Sequence, residues 1–312
     1  MFQDLVGDNK SHQFQIEINK LLKKNKELYR KNLSYYIPQI IEKEGYVDFF
    51  GSNLNWLISY DHDDLLYINK FLNFYFDSSN SNIKNHNDHL CHLIHDLSVE
   101  DSFFTNISFQ HLVEHSYYYQ YLISQKFENS KIFISSSAAF YETNDKKFQF
   151  THSSLTNAYV LVIRNPYELY KKYLQQEKGN KNNAMHRLLN YEKSINQLQF
   201  RIDGNQERFV EENSQNWQIH TQSWTDPNVQ STFNGLVVRY DQIIQDTQDA
   251  LRDILRHFMH NHLEFSLDYQ IIRDFVKQNP IQNNVSIDDI SNQDKKIIQR
   301  EFKSLLTKFR FD

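Results

Sequence analysis

Arg164 closes an unbroken apolar run, Ala158-Tyr159-Val160-Leu161-Val162-Ile163, and is followed by Asn165-Pro166. A guanidinium in such a place offers a planar fork of donors that fits two oxygens of a phosphate or sulfate. The same fork suits a purely structural pairing with a carboxylate. A second apolar run, Gly235-Leu236-Val237-Val238, ends in Arg239-Tyr240. Ser135-Ser136-Ser137 follows the short run Ile132-Phe133-Ile134 and supplies hydroxyls.

Other clusters read as packing or solvated surface. His86, His89, His92 and His95 come at three-residue steps, which drift by about 60° each on a helix, so they share no face. Only Cys91 and His95 have the spacing at which two ligands meet, and two ligands do not close a zinc site. No metal is therefore expected. Asp61-His62-Asp63-Asp64 reads as an exposed helix face that could hold a cation. Tyr117, Tyr118, Tyr119 and Tyr121 read as core or partner contact, because few basic residues interleave with them. Lys20, Lys23, Lys24, Lys26 and Arg30 alternate with acids on a solvated helix face, the best place in the chain for docking on another protein.

These residues must be positioned by the elements around them. Residues 13–33 read as a charged amphipathic helix. Tyr46 to Phe50 reads as a strand that runs into a turn at Gly51-Ser52, and the spacing from Leu54 through Trp56 to Phe74 predicts a helix. Residues 86–97 and 107–126 are further helix candidates. Lys131 to Ile134 is a short strand. Ala158 to Ile163 has the length and branching of a strand buried on both faces of a parallel sheet. A helix over Tyr167 to Gln176 follows it, with Pro166 tolerated near its start. Gly235 to Val238 repeats the pattern and leads to a helix from about Asp246 to His260. Asn292 to Phe309 is a last amphipathic helix, capped by Ser291 with Asp294 near its positive end. Alternating strands and helices imply an α/β fold, a central parallel sheet with helices on both sides. Ligands bind such sheets beyond the carboxyl ends of the strands. Phe50 to Asn55, Ser135 to Ser137 and Arg164 to Pro166 are the expected site-forming ends.

Composition sets the frame. The chain has 312 residues, 24 Phe and 19 Tyr, and only 6 Gly and 4 Pro, which points to an aromatic core and away from an all-β fold of many tight turns. A net charge of -5 gives no support for a nucleic-acid surface. The single cysteine, Cys91, excludes a disulfide within the chain. With no leader-like start and no apolar run long enough to span a bilayer, the chain reads as soluble and cytoplasmic, with no membrane partner.

The two strand-to-helix signatures carry a resemblance. Val160-Leu161-Val162-Ile163-Arg164-Asn165-Pro166-Tyr167-Glu168-Leu169 resembles the 3′-phosphate strand of sulfotransferases, and Leu236 to Asp246 is similar to that family's Arg-Tyr-Glu-Asp-Leu signature. Trp217, His220 and Trp224 resemble the subgroup related to WSC-domain sulfotransferases. The resemblance runs from about residue 45 to the end, leaving 1–44 as an N-terminal helical extension and 45–312 as a sulfotransferase-like domain. It implies a three-layer, P-loop NTPase-like fold and a cofactor, 3′-phosphoadenosine 5′-phosphosulfate or its desulfated product.

What the resemblance implies for the site is a damaged machine. The family's Pro-Lys-Ser-Gly-Thr-Thr-Trp loop matches Phe50-Gly51-Ser52-Asn53-Leu54-Asn55-Trp56, so only Ser52 and Trp56 are kept, with Trp56 in the adenine-packing position. Gly51 replaces the lysine that supplies a cation to the leaving group. Loss of one such donor costs about 100- to 1000-fold in rate. The family's catalytic histidine corresponds to Ser137; a serine there cannot accept a proton near neutral pH without a partner of its own, and His152 is the imidazole that could take that part instead. Arg164 would hold the 3′-phosphate, Lys172 stands where a phosphate-binding serine is expected, and Tyr240 would support the cofactor side of the pocket. Weak or absent sulfuryl transfer follows, or a non-catalytic structural role in which the N-terminal helix docks on a partner.

Overall fold

The computed structural model describes residues 54–79, 84–90, 92–94, 109–127, 130–142, 149–189, 195–202, 206–213, 215–260, 266–281, 287 and 289–311. The charged helix expected over 13–33, the strand over 46–50, the turn at Gly51-Ser52, Cys91 and His95 lie outside them.

Five strands form one parallel sheet: β1 (Leu54–Ser59), β2 (Lys84–His89), β3 (Ser130–Ser136), β4 (Thr156–Ile163) and β7 (Gly235–Arg239), in the order β2-β3-β1-β4-β7. A separate antiparallel hairpin pairs β5 (Ile195–Ile202) with β6 (Gln206–Asn213). The helices are α1 (Leu66–Ser78), α2 (Phe109–Lys126), α3 (Pro166–Gln176), α4 (Lys181–Leu189), α5 (Trp217–Trp224), α6 (Pro227–Thr232), α7 (Tyr240–Gln245), α8 (Thr247–Phe258), α9 (Tyr269–Gln278) and α10 (Asn292–Phe309). The expected α/β class, a central parallel sheet flanked by helices, is the one observed.

Alternation along the strands builds two cores, one on each face. Trp56, Ile58, Ile132, Ile134, Tyr159, Leu161 and Ile163 point to the face covered by α2, α3, α4, α5 and α10. Leu57, Phe133, Ala158, Val160, Val162 and Val238 point to the face covered by α1, α8 and α9. Every residue of β1 and of β4 is buried. Burial on both sides is why these strands read as continuous apolar runs. Two buried amides interrupt the pattern. β4 carries one extra residue, Asn157, between the partners of Leu54 and Asn55. Asn157 Nδ2 donates to Asn55 Oδ1 at 2.7 Å and to the Phe258 carbonyl at 3.0 Å, and Asn55 Nδ2 donates to the Ile132 carbonyl at 3.3 Å. A bulge of this kind re-aims a side chain while the ladder continues on either side.

Several boundaries match the sequence reading. Asn165 caps α3 by accepting from the Tyr167 amide, with Pro166 in the first turn. Ser291 caps α10 by accepting from the Asp294 amide. The tyrosines at 117, 118, 119 and 121 are buried in the core.

Three expectations are corrected. Leu54 to Ser59 is the central strand and not the start of a helix, which begins only at Leu66. The apolar residues at 54, 56, 57 and 58 fit a doubly buried strand as well as a helix, and periodicity alone does not separate the two over so short a run. His86 and His89 lie on β2 and not on a helix. Asp61 to Asp64 is no exposed helix face: Asp61 caps a single 3-10 turn, His62–Leu65, by accepting from the Asp63 amide, and Asp64 is buried.

Candidate functional site at the strand ends

Because the sheet is parallel, β1, β3 and β4 bring their carboxyl ends to one edge. The turn that follows β1 is Tyr60 to Leu65; of the Phe50–Trp56 segment singled out by resemblance, Leu54, Asn55 and Trp56 lie in β1 and the other residues lie outside the described ones. That turn carries Asp61, His62, Asp63 and Asp64. Arg164 leaves the neighbouring strand β4 directly opposite. Its Nη1 donates to Asp64 Oδ1 at 2.6 Å and its Nε donates to Glu168 Oε2 at 3.2 Å. The guanidinium also lies over the Tyr240 ring, 4.2 Å from the centroid. Lys172, two turns into α3, reaches back to the same turn. Its Nζ lies 2.8 Å from Asp61 Oδ2 and 2.7 Å from Asp63 Oδ2.

Arg164, Lys172 and Tyr240 thus lie together at this edge, and both cations are held by carboxylates. Sequence reasoning named the pairing of Arg164 with a carboxylate as an alternative and missed which carboxylate. The local signal reached only as far as the turn: an acidic run two residues past a largely apolar hexamer is a strand-end turn if the hexamer is a strand.

The electrostatics follow from burial. Asp64 is 1% exposed. Desolvation pushes its carboxyl up from 3.8 to about 7, against the pull of Arg164. Among its other neighbours, Asp61 adds to the rise and Lys172 opposes it, and the tyrosines Tyr173 and Tyr240 also feel its charge. Ser59 Oγ donates to its second oxygen at 3.4 Å. Arg164 is raised as well: burial works against its charge, but the fields of Asp64, Tyr240 and Glu168 outweigh that. The pair is thus unequal. The side chain of Arg164 keeps 11% of its surface in water while that of Asp64 keeps 1%, so the cost of losing water falls on the acid. Glu168 is raised by burial and Tyr240 likewise, each restrained by Arg164. Asp63, more open, is lowered by its hydrogen bond from Lys172.

The other predicted residues are placed as follows. Trp56 is in the middle of β1 with no exposed surface, edge-on to Phe150, and its Nε1 donates to Thr156 Oγ1 at 2.9 Å. A side chain sealed in the sheet core packs on protein and not on an adenine. Ser52 lies outside the described residues. Ser137 is buried just past β3, at the same edge as Arg164. Ser135 Oγ pairs with the Asn69 amide, Nδ2 donating at 2.8 Å. His152 sits before the amino end of β4, with Nδ1 2.9 Å from Ser154 Oγ. Eight residues of strand, roughly 23 Å at the usual rise, separate it from Arg164, so it cannot serve as a base at this edge. His220, on α5, is fully buried and edge-on to Tyr60, with ring centroids 5.7 Å apart. Burial pushes its imidazole down to about 3, and its Nε2 has no hydrogen-bond partner. His62 meets His89 edge-on at 4.5 Å, and burial pushes His89 down to about 4. Among the described residues, no group of three or more His, Cys, Asp or Glu side chains is arranged to hold a metal ion. No described helix is long and apolar enough to cross a membrane.

No protein-family model matches this sequence, and no curated protein matches it. Among solved structures the chain is similar to mouse sulfotransferase SULT7A1, a structure complexed with PAP, at 11% identity over 81% of this chain and 84% of that one, with a TM-score of 0.42. A likeness of this size assigns neither a ligand nor a reaction to the chain.

Proposed function

We propose that this chain is a sulfotransferase-like protein with little or no sulfuryl-transfer activity, one that keeps the α/β framework and uses it for binding or support. One observation carries the reading: the cations at the strand ends, Arg164 and Lys172, are each held between two carboxylates of the chain. Sulfuryl transfer from 3′-phosphoadenosine 5′-phosphosulfate builds negative charge on a leaving phosphate. That charge needs free cations, backbone amides and a helix start aimed at it. An edge with Asp61, Asp63, Asp64 and Glu168 around those two cations opposes the same charge. Ser137 offers no base at the position where the resemblance places one. Fold alone does not restore what these residues lack.

The test is direct. The purified chain, incubated with radiolabelled 3′-phosphoadenosine 5′-phosphosulfate and a panel of phenol, alcohol, amine and carbohydrate acceptors, is expected to transfer no label. Calorimetry with 3′-phosphoadenosine 5′-phosphate at about 1 mM is expected to give no heat of binding. Transfer at a rate above that of an Arg164→Ala control, or saturable nucleotide binding that this control loses, would overturn the proposal.

A further inference from the structure

Arg164 and Lys172 do not behave as two isolated surface ion pairs. Both are drawn to one four-residue segment, Asp61 to Asp64, from two successive parts of the chain, the end of β4 and the second turn of α3. Arg164 splits its fork between Asp64 and Glu168 while its face rests on Tyr240. Lys172 divides its ammonium between Asp61 and Asp63 at nearly equal distances. The carboxylate oxygens around these cations lie at 2.6 to 3.2 Å, where the oxygens of a bound tetrahedral oxyanion would lie. The place is the carboxyl edge of the central strands, where α/β sheets take ligands. The turn that provides three of the four carboxylates is short and locally made: Asp61 caps it, and the Asp64 amide donates to the Asp61 carbonyl at 3.0 Å.

We infer that the turn Asp61–Asp64 is a tethered occupant of an oxyanion site formed by Arg164 and Lys172, so that the chain holds this site closed against sulfate- or phosphate-class ligands. This rests on the proposed reading of the edge as put out of use, and adds what keeps it so. Four carboxylates face two cations, so a dianion is repelled as long as the turn is seated. A ligand reaches the cations only in the fraction of molecules whose turn has swung out, and its apparent affinity falls by that fraction.

The experiment uses sodium sulfate as the probe, because its charge is constant across neutral pH, and the full chain as the protein. Asp61→Asn, Asp63→Asn and Asp64→Asn are combined. The triple variant is expected to bind sulfate at least about tenfold more tightly than the unmutated chain. Adding Arg164→Gln to it is expected to abolish the gain. Asp63→Asn alone changes a side chain that is more than half exposed and leaves the fold intact, and it is expected to give a smaller gain of about twofold. A second arm with 3′-phosphoadenosine 5′-phosphate separates a free oxyanion from a nucleotide as the ligand. Tighter binding in that arm names the nucleotide, and equal binding names the ion. A folded triple variant and an Asp63→Asn variant that both bind sulfate no better than the unmutated chain would overturn the inference, as would a gain that survives Arg164→Gln. Sulfuryl transfer by the unmutated chain would instead sink the parent reading, so the two failures are told apart.

Discussion

Asp64 carries a carboxylate in a place with almost no water, and its proton equilibrium records the cost. Its value in the folded chain, about 7, lies above the ordinary 3.8. The folded state therefore holds the proton more tightly than the unfolded state does. The stability Asp64 contributes is fully present below about pH 4 and is lost as pH rises through about 7. Between pH 5 and pH 8 the unmutated chain should lose more stability than Asp64→Asn does. The difference should be of order 1 kcal/mol or more, about 2–4 °C in Tm for each kcal/mol in a chain of this length. Thermal melts of both proteins at the two pH values read this directly; equal slopes would show that Asp64 does not titrate in that window. Of the site, Lys172 and Tyr240 were reached through the resemblance alone, whereas Arg164 was legible in the sequence, because an apolar run that ends in a cation marks a strand end. Asp64 was not, because nothing local distinguishes a buried acid from the solvated ones beside it. What buries it is a neighbouring strand 100 residues away in the chain.

At the scale of elements, strand β7 depends on its first residue having no side chain. A Cβ on Gly235 would be driven into the ring and hydroxyl of Tyr159 on the neighbouring strand. That ring cannot retreat, because its hydroxyl donates to the Trp224 carbonyl and its face packs against the Trp224 indole. Gly235→Ala should therefore destabilise the protein by about 1–3 kcal/mol. Denaturant unfolding would measure it, and a change within error would mean that β7 shifts freely. Elements were read well where a cap or a proline marks the boundary, as at Asn165-Pro166 and Ser291. They were read poorly where apolar runs had to speak for themselves. Leu54 to Ser59 is a strand because β3 and β4 sit on either side of it, and its register partners there are 78 and 102 to 103 positions distant.

For the molecule as a whole, acid should be more damaging than the acid-stabilised Asp64 would suggest. His220 is buried and neutral, with a folded value of about 3 against an ordinary 6.5. The unfolded chain takes up the proton first, so the stability His220 contributes is complete above about pH 6.5 and is lost as pH falls toward 3. His89 acts in the same sense from about 4. His220→Phe keeps a ring against Tyr60 and removes the titration, so its Tm should fall less than that of the unmutated chain between pH 7 and pH 4.5. Parallel falls would exclude His220 as the acid-labile group. The fold class was readable from the alternation of strands and helices, whereas strand order was not, since it is set by contacts between distant segments. The paired amides of Asn55 and Asn157 add a last consequence. Strands made of little but branched and aromatic residues could zip together one step out of phase with small loss. The odd residue in β4 and the two amides leave a single alignment in which both amides find their partners, so a mispaired sheet carries its own penalty and the chain is proofread as it assembles.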